Sequence, residues 1–277
     1  MSNIRSEQRI IRFPEERSVG VLSNLGSWPN ISAQSLLTPA ETRAARGEIA
    51  VGRNDMLKLQ VNSTAATDLS FVSALQPNDL TFLDLSETGV TDAQIHHLQH
   101  LDGLESVRLD RTEISDDGVR SISTLIKLST LDLSYTAVTD SAFTDLQHLS
   151  SLTTLYLNHT KITDQHLDWL CSLTSLVGLG LEAINIKGDG LAQLACLHGL
   201  RMLLLGHSAV TDEQLAFLES FPELRELSLA ETKITDIAVA RFKQCNALQE
   251  LHLEGCNVSP STINELTRSC PDLTVWF

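Results

Sequence analysis

Nine copies of one 24-residue pattern tile the chain without a gap from Met56 to Pro271. Two neighbours show it: Leu128 to Ser151 reads LSTLDLSYTAVTDSAFTDLQHLSS, and Leu152 to Ser175 reads LTTLYLNHTKITDQHLDWLCSLTS. Self-similarity at a short fixed period constrains the fold before any other feature does. A unit this small cannot bury its own apolar side, so the copies must stack and share one continuous core.

Each position in a copy has a physical reading. Position 1 is leucine in eight copies and Met56 in the first, and position 4 is leucine except at Val107. Positions 4 and 6 are aliphatic and alternate with other residues, the period of a strand half-buried on one face. Position 11 is Val or Ile in every copy but the first, where it is Ala66. Positions 16, 19 and 22 change the spacing to three, as in Leu167, Leu170 and Leu173, which reads as one face of a helix. Position 12 is Thr or Ser in eight of nine copies and position 13 is Asp in seven. That pairing suits a helix N-cap followed by an acid in the first turn. Thr211 and Gln214 complete a capping box, and Ser259-Pro260 opens the last helix with proline at its first position.

The resulting motif, LxxLxLxxTxITDxxLxxL, resembles the leucine-rich repeat in its short form with Thr at position 9. Thr64, Thr88, Thr112, Thr136, Thr160 and Thr232 hold that place; Ser208 and Cys256 substitute, and Ile184 departs. The resemblance covers about four fifths of the chain. It implies an α/β solenoid: a right-handed leucine-rich-repeat superhelix with a concave parallel β-sheet and convex helices.

Residues 1–55 lie outside the repeat and are expected to cap its first core layer, with 56–277 forming the repeat domain of nine copies and a final strand. Arg9 to Phe13 and Ser18 to Leu22 read as short strands. Glu48 to Val51 and Leu57 to Val61 read as a hairpin across Gly52-Arg53-Asn54-Asp55. Thr38 to Arg46 suits a short helix, with Thr38 as cap and Pro39 next to it. FPEERSVGVL followed by ARGEIAV also resembles the N-terminal region of bacterial leucine-rich-repeat proteins. No F-box-like apolar pattern occurs here.

Composition bounds the partners and the compartment. Residues 1–55 carry seven Arg and six acids, whereas the rest carries 13 Lys and Arg against 29 acids, so the net charge of −15 belongs to the repeats. Acidity argues against nucleic acid or an anionic membrane as partner, although an acidic surface by itself often means only solubility. No apolar run has the length of a membrane helix, and the first residues lack the apolar core of a secretory signal. The five cysteines, Cys171, Cys196, Cys245, Cys256 and Cys270, are an odd, scattered set. They read as reduced thiols of a cytoplasmic protein, with the proximity of Cys171 and Cys196 taken as chance.

Two places break the pattern. The copy led by Leu176 has Ile184 at position 9, Lys187-Gly188 where Thr-Asp is usual, and Gly178 and Gly180 at sheet positions. Strand glycines mark drift or a close approach of a partner to the backbone. After Pro271 the register reads as slipped by one, and Leu273 to Phe277 starts a further strand. Trp276 there serves either to cover the last core layer or, as an apolar edge, to pair a second copy in a weak homodimer.

The sheet columns locate the binding surface. Positions 3, 5 and 8 place Tyr135, Tyr156, His159, Gly178, Gly180, Met202, Leu204 and His207 in an uncharged, partly apolar patch. Acids stand on either side: Asp84, Glu87, Asp110 and Asp132, then Glu226, Glu231, Glu250 and Glu254. Aromatic and Met anchors ringed by polar groups describe a protein-binding hot spot. Enzyme readings are weaker. Asp92, His96 and His100 form a helical stripe with metal-ligand residue types, yet on an outward face. Arg108 and Arg111 pair most simply with Asp84, Asp110 and Asp132 across the ladder. The sequence has no GxxxxGK[ST], CxxC or HExxH, so no cofactor or metal is expected. The expected function is a non-enzymatic protein-binding scaffold. The alternative is an effector or substrate-receptor subunit that recruits a target to a ubiquitin-ligase-like or signalling complex.

Overall fold

A computed structural model describes residues 8–27, 41–186 and 189–277. The chain divides into two compact units, residues 1–131 and 132–277.

The first unit begins with five strands: β1 (Gln8–Arg12), β2 (Gly20–Ser27), β3 (Glu41–Ala44), β4 (Glu48–Gly52) and β5 (Asp55–Val61). Strand β2 runs antiparallel to both β3 and β5. Beyond β5 the sheet turns parallel, through β6 (Phe82–Asp84) to β7 (Ser106–Arg108). The first strand falls within a residue of its expected place, whereas the second begins two residues later than expected and runs on to Ser27. The helix expected over 38–46 does not form: residues 41–44 are β3, and 38–40 lie outside the described residues. Pairing of β3 with Val21 to Asn24 satisfies its backbone and overrides local helix propensity.

The expected hairpin also resolves differently. Its turn forms, with the Gly52 N–H donating to Asp55 Oδ2 at 2.7 Å. Its arms then diverge, β4 pairing with β1 and β5 with β2 and β6. Leu57 and Leu59 of β5 are completely buried, so β5 must join the stack rather than close a local ribbon. Arg9 ties the cap to this corner through Asp55 O (2.8 Å) and Asp79 (3.5 Å).

The copies share one local geometry. Position 8 is left-handed in copy after copy: Glu87, Arg111, Tyr135, His159, Ala183, His207 and Glu231 have φ between 53° and 58°. That conformation costs a non-glycine residue roughly 1–2 kcal/mol. It persists because two sets of hydrogen bonds demand it. The position-8 N–H donates to the next copy's position-7 carbonyl, as His159 to Glu182 at 2.7 Å and Ala183 to Gly206 at 2.8 Å. The position-9 hydroxyl then donates back to the position-6 carbonyl, as Thr160 to Leu157 at 2.7 Å and Ser208 to Leu205 at 2.6 Å. These hydroxyls are buried and so require that acceptor; Ala183 keeps the same turn beside Ile184, where the N–H bond alone suffices.

The division between units falls inside β8 (Thr130–Asp132). The second unit carries six further parallel strands in unbroken 24-residue register: β9 (Thr154–Tyr156), β10 (Gly178–Gly180), β11 (Met202–Leu204), β12 (Glu226–Ser228), β13 (Glu250–His252) and β14 (Thr274–Trp276). The register does not slip at the end, because Val275 lies opposite Leu251. Trp276 does not cover the core either. It stays half exposed on the sheet face, stacked on His252 at 6.0 Å.

The helical segments are short, and many are 3₁₀, as in Asp164–Ser172 and Asp212–Ser220. A strict spacing of three is the 3₁₀ period, so the sequence pattern carried this information. Among the described residues the longest α-helix is Pro260–Ser269, ten residues capped by Ser259. The expected capping box forms, with the Thr211 N–H donating to Gln214 Oε1 at 3.0 Å; Thr91 and Gln94 make a second. Cys171 and Cys196 are joined in a disulfide, Cα atoms 5.6 Å apart, which corrects the reading of both as free thiols. Successive copies bring the two side chains together on neighbouring helical segments. Cys245, Cys256 and Cys270 are free, and burial pushes the Cys245 thiol above its usual range.

Candidate sheet-face binding site

The eight residues singled out from the sequence all lie in the second unit. Parallel pairing in register places Tyr156 opposite Gly180, and Gly178 opposite both Thr154 and Met202. Strand β10 is buried along its length, both glycines included. A Cβ on Gly178 would stand 2.8 Å from Met202 Cε, and one on Gly180 would stand 2.8 Å from Tyr156 Cδ1 and 2.7 Å from Asn158 Oδ1. The glycines are therefore not bare backbone open to a partner, as the sequence reading allowed. They make room for Tyr156 and Met202 to lie over the strand, an aromatic and a thioether covering what would be a gap. Tyr156, Met202 and Leu204 are half-buried and form the apolar strip of this face.

At the strand exits the left-handed residues form a row of their own. The Tyr135 and His159 rings stack at 4.1 Å and 13°, and His159 approaches His207 at 6.3 Å across the small Ala183. Beside them, a shallow cleft of about 520 Å³ is lined by Thr160, Thr163, Ala183, Asn185 and His207. Asn158 stiffens the rim, its Oδ1 accepting the Glu182 N–H at 2.8 Å.

In the first unit the sheet face neutralises itself. Asp84 receives Lys58 at 3.1 Å and Arg108 at 3.6 Å, Arg108 also meets Asp110 at 3.1 Å, and Arg111 meets Glu87 at 3.9 Å. Burial alone would raise the Asp84 carboxyl, but the Ser86 hydroxyl and the Lys58 and Arg108 charges outweigh it and hold it below the usual range. The pairing of Arg108 with Asp84 and Asp110 is thus as expected. The histidine stripe has structural duties instead: Asp92 accepts both the N–H and the hydroxyl of Ser115, and His100 Nε2 lies 3.1 Å from Leu75 O.

One grouping escaped the sequence reading. Glu226 and Glu250 are in register on β12 and β13, and with His252 their carboxylate oxygens and ring nitrogen all lie within 4.8 Å of one another. The signal was present: residues 24 apart at position 3 must stand side by side in a parallel ladder.

This architecture defines a leucine-rich-repeat solenoid. Residues 102–162 match the leucine rich repeat family. An internalin from Listeria monocytogenes superposes with a TM-score of 0.59 at 20% identity, over 82% of this chain and 59% of its own. A leucine-rich-repeat protein from Leptospira interrogans does so with a TM-score of 0.53 at 18% identity, over 75% and 57%. The chain thus spans less than two thirds of the length of either, and at these identities the likeness is one of fold. No curated protein sequence matches the chain. The family match over residues 102–162 and both superpositions agree on a leucine-rich-repeat fold, similar to that of these bacterial proteins.

Proposed function

We propose that the protein is a binding scaffold that takes a protein partner on its exposed sheet face, around the copies led by Leu152, Leu176 and Leu200. The observation that carries this reading is the Tyr156–Gly180 and Met202–Gly178 arrangement. Two glycines on one strand let two large side chains form a continuous apolar strip where the fold leaves a solvent-facing sheet. Contiguous apolar surface on an otherwise polar face is the usual mark of a contact site. The stacked Tyr135 and His159 rings, with His207 beside them, add a polar aromatic border. The reading is non-enzymatic, and it involves neither nucleic acid nor a membrane; no helix among the described residues is long and apolar enough to cross one.

Two secondary features belong to the same reading. The Cys171–Cys196 disulfide supports action in an oxidising compartment over the cytoplasm. Exposed Trp276 and Phe277 on and beyond β14 support weak self-association along that strand.

The test is an affinity capture from native lysate with wild type and with Tyr156→Ala/Leu204→Glu, after circular dichroism has shown that both fold alike. Specific proteins lost only with the variant support the sheet face. Identical captures sink it.

A further inference from the structure

The sheet face of the second unit is charged in one sense only. Its positions 3, 5, 7 and 8 contain Asp132, Glu182, Glu226, Glu231, Glu250 and Glu254, and not one Lys or Arg. The eight basic residues of 132–277 all sit elsewhere in the repeat, as Arg201 and Arg225 at position 2 and Lys161 and Lys233 at position 10 show. Among the described residues, no Lys or Arg forms an ion pair with Glu226, Glu231, Glu250 or Glu254; the one contact is His252 Nδ1 with Glu254 at 3.4 Å. The first unit shows that this fold can pair its acids across the ladder, since Lys58, Arg108 and Arg111 do so there.

Like charges directly opposite on neighbouring strands repel. Glu226 and Glu250 are such a pair, with His252 beside them. A cationic group seated between the two carboxylates would turn that repulsion into two charge-assisted hydrogen bonds. The apolar strip is adjacent. Met202 is in register with Glu226, and Leu204 with Ser228. From Met202 to Glu250 is two ladder steps, about 10 Å, which is the reach of roughly three residues of extended chain.

On the sheet-face reading above, we infer that the partner presents an extended basic–apolar protein segment that crosses the strands. A Lys or Arg of that segment sits between Glu226 and Glu250. About three residues away, a large aliphatic or aromatic side chain packs on Met202, Leu204 and Tyr156. The surrounding acids raise the encounter rate and reject acidic competitors.

The experiment pans a random linear peptide library on the full chain in the presence of EDTA, then titrates a synthetic peptide of the enriched sequence by fluorescence anisotropy. Enriched peptides are expected to carry Lys or Arg two to four residues from a large apolar residue, as roughly 3.4 Å per extended residue requires. Glu226→Gln/Glu250→Gln should weaken the peptide about tenfold or more, and binding should fall as salt rises. Peptides without basic residues, or equal binding to Glu226→Gln/Glu250→Gln, overturn the inference. If Tyr156→Ala/Leu204→Glu still abolishes binding in that case, the sheet-face reading stands. Peptides indifferent to both variants, or no enrichment at all, overturn both. A zinc titration without EDTA gives the last arm. Tight zinc binding that needs Glu226, Glu250 and His252 and excludes the peptide makes the group a metal site and overturns the inference.

Discussion

The carboxylate of Asp140 holds Thr163 of the next copy twice, accepting its N–H at 2.8 Å with Oδ1 and its hydroxyl at 2.7 Å with Oδ2. The same clamp joins Asp92 to Ser115 and Asp212 to Thr235, and Asp236 accepts the Ser259 N–H at 2.7 Å. An acid that looks like a local helix-dipole partner in one copy is a bond between copies in the stack. Asp140→Ala leaves a part-buried N–H and hydroxyl without their acceptor, and should cost about 1–3 kcal/mol. Asp140→Asn keeps one acceptor and should cost less. Urea midpoints with unchanged slope measure both, and equal stability of all three proteins would show that the clamp is idle.

The disulfide between Cys171 and Cys196 spans 25 positions, and its loss should cost about 3 kcal/mol by loop-closure entropy. It joins two copies between which the clamp's hydroxyl is absent from the sequence, because Lys187 stands where other copies have Thr or Ser. Reductant, Cys171→Ser and Cys196→Ser should lower the thermal midpoint by the same amount and should not add. A midpoint indifferent to reductant would mean that the bond contributes nothing.

Gly180 tests the strip. Gly180→Val places a branched side chain where Tyr156 Cδ1 and Asn158 Oδ1 stand, so Tyr156 must swing out. The expected result is lost capture of the partner, with a stability loss of about 1–3 kcal/mol typical of overpacking. Gly180→Val that binds like wild type would show that the lie of Tyr156 over β10 is unimportant.

Asp84 sets an acid limit. Its carboxyl is held below its ordinary value of 3.8, so its contribution is complete above that value and is lost as pH falls through the folded-state value. Stability should therefore decline below about pH 4 in wild type. Asp84→Asn should be less stable at neutral pH and lose less on acidification. Parallel curves for the two proteins would remove Asp84 from the account.

Much of this was legible one residue at a time. Leu128, Leu131 and Val138 repeat their burial from copy to copy because the strand and turn of each unit are local, and Thr160 marks a local turn bond. The eight patch residues were legible by the same rule: equal positions in successive copies become neighbours. The helix expected around Glu41 to Ala44 failed because its competitor was a strand some twenty residues earlier, and no local propensity records that. Drift and a close approach of a partner both stay open for Gly178 and Gly180 in the sequence, because it does not say where Met202 and Tyr156 will lie. The sequence by itself determined the repeat, the stacking and which side chains face the sheet surface. The tertiary structure decided the pairing of the cap strands, the union of Cys171 with Cys196, and the lie of Met202 and Tyr156 over β10. The cap strands stand outside the repeat, and the other two depend on how far side chains of neighbouring copies reach, which periodicity does not state.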